Sequence, residues 1–420
     1  VSESEVLQLK VRQMEEHFPW YSEWRASQAA GSGNGDERTG GALESFPLIT
    51  AGVLETFYYT AVPPFEHRPE LYRYQTSGTS SGRRKTIYYS EKDEARYLQV
   101  KTRVFAELVK RSGASTALAD MGTGHAAATS LAVFRQLGLK AEAVSFQLPI
   151  EHHLERLAEC RPHLLYTMPS ILDRILLASP DPAGYGIRDV ILVGEIASPA
   201  WRQRAAERLG IGAEHITDTY GSIEIGTIAY YSHAHGRYLL ADGVLAEGVA
   251  AEALEEGIEP LAEDERVLVL TSLVRDLFPS LRFVTYDVVR DLRPIVVDGV
   301  LRQSFQSIVK RIGSELKHGE KISLYDIEDV VFRHLSEASV RVKVAGNALT
   351  VYVYSPKLTD ALLQAIQRDL TDRIPEIGEM IRGRMLGEIR LIGGTFDDSS
   401  HRSTVKNKKI FYETRGPSSP

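Results

Sequence analysis

The sequence predicts an α/β fold: a large N-terminal body of mainly parallel sheets flanked by helices, followed by a small α+β C-terminal domain. Three observations predict it. Between Thr102 and Ile211, helix-like segments alternate with short β-branched runs, the order expected of parallel strands joined by crossovers. From Arg266 to Val300 the pattern changes to consecutive strand-like runs. The 420 residues also exceed the ~250–300 at which a single hydrophobic core stops growing, so two or more domains are needed.

The elements follow in order. Residues 3–27 read as one amphipathic helix carrying Val6, Leu7, Leu9, Val11, Met14, Phe18 and Trp20, with Pro19 as its weak point. Ala30–Gly41 (AGSGNGDERTGG) is Gly-rich and polar and reads as a flexible loop. The alternating region runs TSLAVFRQLGL (helix), KAEAVSF (strand), HLERLAEC (helix), HLLYTM (strand), SILDRILLA (helix) and DVILVGEI (strand). VLVLTSL, LRFVTYDVV and PIVVDGVL then read as successive strands. Beyond Gly313 the pattern predicts a helix (Tyr325–Leu335), strands at Val340–Val344 and Leu349–Tyr354, a helix from Thr359 and a strand near Ile389. The boundary falls near Arg311–Gly313, giving domains 1–311 and 312–420. The tail RGPSSP reads as disordered.

Composition excludes several classes. With 49 Lys+Arg against 56 Asp+Glu, the net charge of −7 disfavours nucleic acid as a partner, since such binding needs a basic surface to replace counterions. The single Cys160 excludes a disulfide framework or a multi-thiolate metal site and fits a reducing compartment. No apolar run reaches the ~20 residues that span a bilayer. The acidic start VSESEVLQLK lacks the apolar core of a signal peptide. The expectation is a cytoplasmic enzyme with no membrane partner.

The segment Thr76–Lys85 (TSGTSSGRRK) permits three readings. Its spacing fails the Walker pattern GxxxxGK[ST]. Gly78-Thr79-Ser80-Ser81-Gly82 matches the GxSxG of a serine hydrolase using Ser80, but that elbow joins a strand to a helix. Here the flanks LYRYQ and KTIYYS both read as strands. The third reading is a loop whose N–H groups and hydroxyls surround phosphate oxygens, with Arg83, Arg84 and Lys85 adding charge. Farther on, Gly122-Thr123-Gly124-His125-Ala126-Ala127 matches GxGxxA, with Glu142 twenty residues later. Because Glu142 falls inside the next strand, an ordinary helix N-terminus is the better reading. Among twelve His, His152-His153 and His233-x-His235 cluster, without a third ligand at a convincing spacing.

Five motifs in one order add a resemblance. TSGTSSGRRK is similar to the TSGTTGxPK phosphate loop of the adenylate-forming (acyl-AMP) enzymes. Tyr220-Gly221-Ser222-Ile223-Glu224 resembles their YGxTE, and LRFVTYDVV around Asp287 resembles their R-Y-x-T-x-D. LKHGEKISLYDIEDVV resembles the RGxxIxxxEIE that opens their small C-terminal domain, and Thr404–Lys408 stands where they carry TxxGK. RQMEEHFPWYSEW followed by FPLITAGVLETFYYT resembles the opening of the phenylacetate–CoA ligase branch. Departures exist: the phosphate loop is one residue longer, Arg84 replaces Pro, Ile223 replaces Thr, Asn407 replaces Gly, and KRIGSE stands where GRxDD is usual.

The resemblance implies ATP-dependent activation of a carboxylic acid as acyl-AMP with pyrophosphate release, then transfer to a thiol, first of all coenzyme A. A carrier protein or an amine is the alternative acceptor, and a nucleotide-binding protein without catalysis is a further alternative. ATP would be bound by Thr76, Ser77, Gly78, Thr79, Ser80, Ser81, Gly82 and Lys85, and by Gly194 and Glu195 at an adenine-pocket strand end. Tyr220, Gly221 and Ser222 would complete that site, with Tyr220 stacked on adenine, Asp287 on the ribose hydroxyls and Arg311 at the hinge. Glu224 would hold magnesium and Lys408 would be the catalytic lysine, carried on a mobile small domain. Gly124, His125 and Phe146 would line the acid pocket, and Tyr230 and Tyr231 nearby favour an aromatic or other planar acid. The resemblance also allows a homodimer.

Overall fold

Pro19 cannot donate a backbone hydrogen bond, so the helix expected over residues 3–27 divides there. In the computed structural model of the chain it forms α1 (Glu3–His17) and α2 (Trp20–Gly31). The structure describes residues 3–31, 43–60, 64–75, 85–121, 125–254, 260–312, 324–335, 337–345, 348–374, 377, 381, 389–394 and 410–413. These group into two units: Val1–Val104 with Tyr220–Ile308, and Phe105–Thr219 with Val309–Pro420.

In the first unit the break at Pro19 buries aromatic side chains. Phe18 packs edge-on to Tyr58 and Phe65, and Trp20 stacks on Phe57 with ring centroids 4.6 Å apart. Thr50 caps α3 (Ala51–Phe57) by accepting from the Val53 N–H. Strands β1 (Tyr72–Gln75) and β2 (Thr86–Tyr89) then pair antiparallel. A reciprocal capping box opens α4 (Glu91–Ser112): the Ser90 N–H donates to Asp93 and the Asp93 N–H donates to the Ser90 hydroxyl.

The second unit carries the predicted alternation. Its elements are β3 (Thr116–Met121), α5 (His125–Gln136), β4 (Lys140–Ser145), α6 (Ile150–Cys160), β5 (Leu164–Thr167) and α7 (Pro169–Ala178). β6 (Asp189–Val193), α8 (Pro199–Leu209) and β7 (Ile216–Ser222) follow. The strands are parallel in the order β4-β3-β5-β6-β7. Near-continuous apolar strands, as expected when both faces are covered, pack Leu118, Leu165 and Leu192 with Leu172 and Trp201.

At Tyr220 the chain returns to the first unit, through β8 (Gly226–Ser232), β9 (Arg237–Leu240), β10 (Val244–Val249), β11 (Glu265–Ser272), β12 (Phe283–Arg290), β13 (Arg293–Val297) and β14 (Val300–Phe305). β10, β11 and β12 form an antiparallel meander; β11 and β12 are the expected VLVLTSL and LRFVTYDVV strands, β10 was not expected, and the PIVVDGVL run divides into β13 and β14. β13 and β14 are joined by Asp298-Gly299, both at positive φ, the two-residue turn whose twist suits a hairpin.

After β15 (Ser307–Arg311) come α9 (Leu324–His334), β16 (Ser339–Ala345), β17 (Ala348–Tyr354), α10 (Asp360–Arg373), β18 (Ile389–Gly394) and β19 (Ile410–Glu413). Their sheet, ordered β18-β17-β16-β19, has a core of its own that includes Ile327, Val331, Val340, Val351 and Ile366. Within the second unit this part packs on α7 and α8. The Ser198 hydroxyl donates to buried Glu328, Arg204 lies over the Phe332 ring at 4.7 Å, and Ser339 donates to Asp173.

Candidate functional site

In the first unit the site begins at the C-terminal end of β7. Tyr220, Gly221 and Ser222 end that strand. Gly221 is required by close approach: a Cβ there would lie 2.7 Å from the carbonyl oxygen of Gly226. The Tyr220 hydroxyl donates to the Asp287 carboxylate, and its ring meets Phe305 edge-on. Asp287 is presented by a bulge. β11 and β12 are in register at Val267↔Val288 and again at Val269↔Val284, which leaves extra residues on β12. Tyr286, inside the bulge, adopts φ 62°, a left-handed conformation that a bulky residue rarely holds. Three hydrogen bonds support it: the Thr285 hydroxyl donates to the Leu268 carbonyl while accepting from the Asp287 N–H, and the Ala51 N–H donates to the Tyr286 hydroxyl.

Glu224 lies in the turn between β7 and β8. The Tyr89 hydroxyl donates to the Ile223 carbonyl at 2.7 Å, and Arg275 Nε donates to the Glu224 carbonyl at 3.0 Å. Inside the turn, the Ile225 N–H donates to the Ser222 hydroxyl. The Glu224 carboxylate is half-buried, and no hydrogen bond or ion pair to it occurs among the described residues. Its charge is nonetheless felt: burial first, and Glu224 second, push the Tyr59 phenol far above its ordinary pKa. Lys85 lies over the Tyr59 ring at 4.6 Å and pairs with Glu55. A half-buried carboxylate with no cation paired to it among the described residues is a suitable ligand for a hard, oxygen-seeking ion such as Mg²⁺, which keeps most of its waters. Tyr59, Tyr89 and Arg275 carry no sequence signal of function; the tyrosines read only as strand-flanking or helix-end aromatics.

The second unit holds the other candidates. Gly194, at the end of β6, has φ 82°. The Glu195 carboxylate accepts from both the N–H and the hydroxyl of Ser170, each at 2.8 Å. It thus caps α7, where a carboxylate opposes the positive end of the helix dipole. Phe146 packs against the sheet core beside Ile150 and Leu154. His125 opens α5, and Arg311 ends β15 as an exposed residue. Thr76, Ser77, Gly78, Thr79, Ser80, Ser81, Gly82, Gly124 and Lys408 lie outside the described residues. The described strands on either side of residues 76–84, β1 and β2, pair antiparallel, and among the described residues no helix follows Gly82 before β2, as a GxSxG elbow would need.

The remaining motifs find structural partners. His153 is buried against Asp120, and its other ring nitrogen meets the Leu148 carbonyl at 3.2 Å. His235 pairs with the Ser232 hydroxyl, and Glu142 with Arg156. No cluster of three His, Cys, Asp or Glu side chains that could hold a metal occurs among the described residues. No described helix is long and apolar enough to cross a membrane.

Comparison with known proteins bears on this arrangement. Residues 317–397 match the family described as "Fumarate--diaminopropanoate ligase C-terminal domain". The chain is 35% identical over 385 residues to the Fumarate--(S)-2,3-diaminopropanoate ligase of Enterobacter agglomerans, covering 92% of this chain and 94% of that one. Among solved structures, 2-hydroxyisobutyryl-CoA ligase in the postadenylation state with R3-HIB-AMP superposes with a TM-score of 0.71 at 15% identity, covering 98% of this chain and 88% of that one. The same ligase with 2-HIB-AMP and CoA in the thioesterification state gives 0.61 at 16% identity, with the same coverage. Those two likenesses concern the fold. The mixed α/β architecture, the order of motifs and the near full-length relationship lead to one conclusion: the chain belongs to the fumarate–diaminopropanoate ligase family, within the adenylate-forming superfamily.

Proposed function

We propose that this protein is an amide-forming ligase that activates a small unsaturated dicarboxylic acid, fumarate or a close analogue, with ATP. The observation that carries the proposal is the 35% identity, over 92% of the chain, to a ligase named for joining fumarate to a diamino acid. In the first half-reaction a carboxylate oxygen bonds to the α-phosphorus and pyrophosphate leaves. In the second, an amine nitrogen bonds to the acyl carbon, AMP leaves and the nitrogen gives up a proton. Fumarate is planar without being aromatic, so this proposal would place the substrate among the planar acids.

Roles follow for the residues. Two anions must meet, so cations and positioning dominate the chemistry. The loop Thr76–Gly82 and Lys85 would surround the phosphates, Asp287 would accept from the ribose hydroxyls, and Tyr220 would stack on adenine while holding Asp287. Gly194 and Glu195 would border the adenine, with the Glu195 carboxylate serving the α7 cap and its backbone left to face the base. Glu224 would hold Mg²⁺, which supplies neutralising charge to the phosphates when bound. Residues 1–311 would act as the ATP- and acid-binding body, and 312–420 as a lid that brings Lys408 to the carboxylate and α-phosphate. Arg311 would be the hinge.

A second reading keeps coenzyme A, or a carrier-protein thiol, as the acceptor. It is supported by the resemblance of the N-terminal segment RQMEEHFPWYSEW to phenylacetate–CoA ligases. One experiment separates the readings. The protein is given ATP, Mg²⁺ and a panel of acids including fumarate, and pyrophosphate release is followed with 2,3-diaminopropanoate, coenzyme A or neither. Fumarate-dependent release with an amide product is expected. A thioester product would transfer the proposal to the second reading, and no release with any acid would overturn both.

A further inference from the structure

Glu224 lies in the turn between β7 and β8, which the chain's own neighbours hold by one side-chain hydrogen bond, from the Ile225 N–H to the Ser222 hydroxyl. It is also held from outside. The turn offers two consecutive carbonyls, and each is taken by a side chain from a distant segment: Tyr89 on β2 binds that of Ile223, and Arg275 binds that of Glu224. The same guanidinium donates from Nη2 to the Tyr88 carbonyl at 3.0 Å and lies 2.8 Å from Asp93 through Nη1. Its plane is stacked over the Tyr89 ring, 3.6 Å from the centroid. Arg275 is 1% exposed and has no room to swing.

Asp93 is itself fixed, because it closes the capping box of α4 and accepts from the backbone N–H groups of Asp276 and Leu277. From the opposite side, Lys10 of α1 donates to the Arg275 carbonyl at 2.5 Å and to the Ser280 hydroxyl at 3.0 Å. An arginine that served only to neutralise Asp93 would not need the carbonyl of Glu224. We propose that Arg275 and Tyr89 are positioning residues which clamp the Ile223–Glu224 turn by its two carbonyls and so aim the Glu224 carboxylate for metal binding. The proposal rests on the reading of Glu224 as the magnesium ligand. Fixing two successive carbonyls restricts the backbone torsions on either side of the Glu224 Cα, and with them the direction of its side chain.

The test measures Mn²⁺ binding to the ATP-loaded protein by electron paramagnetic resonance, which needs neither the acid nor turnover. Four proteins are compared: wild type, Glu224→Gln, Tyr89→Phe and Arg275→Lys. Glu224→Gln should weaken Mn²⁺ binding and so define the ceiling. Tyr89→Phe removes one hydroxyl and keeps the stacked ring; it should weaken Mn²⁺ binding by about three- to tenfold, the range for one hydrogen bond. Combined with Glu224→Gln it should add nothing further. Unchanged Mn²⁺ affinity in Tyr89→Phe, with Glu224→Gln affected, would overturn the clamp and leave the metal assignment intact. Unchanged affinity in Glu224→Gln would overturn the metal assignment itself. Because Arg275 is deeply buried, Arg275→Lys is judged after circular dichroism shows a native fold, and Tyr89→Phe decides the matter if it does not.

Discussion

The Tyr220 hydroxyl is hydrogen-bonded to the Asp287 carboxylate, although the two residues are 67 positions apart. Asp287 reaches it from a bulge whose central residue, Tyr286, is held at positive φ. On the proposed role of Asp287 at the ribose, Asp287→Asn should weaken ATP binding by about tenfold, as expected for a hydrogen bond to a charged group. Tyr220→Phe should have a smaller effect. Isothermal titration with ATP checks both, and wild-type affinity in Asp287→Asn would remove Asp287 from the nucleotide site.

Thr285 secures that bulge through two hydrogen bonds in a buried position. Thr285→Val keeps the shape and loses both, leaving the Leu268 carbonyl and the Asp287 N–H without that partner. A loss of about 1–3 kcal/mol in urea unfolding is expected. Thr285→Ser should recover most of it.

Lys10 makes stability depend on pH. Burial, opposed by Asp276 and reinforced by Arg275, lowers its pKa from 10.5 to about 7. In the unfolded chain the amine stays protonated up to its ordinary value, so between pH 7 and 10.5 the unfolded state binds more protons. The contribution of Lys10 to stability therefore rises with pH through that window, and its cost is complete below it. Urea midpoints of wild type and Lys10→Met, compared from pH 6 to about 9.5, should diverge in favour of wild type as pH rises. A constant difference would refute this account.

Asp173 gathers Trp201, Arg204 and Ser339, and so ties α7, α8 and β16 together. Its ion pair with Arg204 is buried on both sides. Asp173→Asn leaves the guanidinium without its counter-charge and should cost about 3–5 kcal/mol. Thermal unfolding measures it, and a loss under about 1 kcal/mol would mean that the pair is solvated in solution.

Lys408→Ala should abolish acid-dependent pyrophosphate release while sparing transfer from a supplied acyl-adenylate to the acceptor. This separates the two half-reactions. Equal activity of the variant in both would exclude Lys408 as the catalytic lysine.

Local periodicity and local chemistry were legible in the sequence because they act over a few residues. The alternation from Thr102 to Ile211, the strand character of LYRYQ and KTIYYS, the strands β11 and β12 and the helix from Thr359 all appear in the structure. The Pro19 break was legible as a weak point, while the extent of α1 and α2 depended on the aromatic packing that follows it. The order of five motifs identified the superfamily. Tertiary structure alone decided the rest. Tyr89 meets Ile223 across 134 residues and Lys10 meets Arg275 across 265, and no periodic pattern marks contacts of that kind. The bulge that aims Asp287 arises from a mismatch between two strands, which neither strand records alone. Folding also placed Ser170 beside the Glu195 carboxylate, a partner 25 residues away that no local pattern marks, because a helix N-terminus needs an acceptor and the strand end supplied one. Short-range propensity thus determined the elements, motif order the superfamily, and long-range packing which side chains could be held in place.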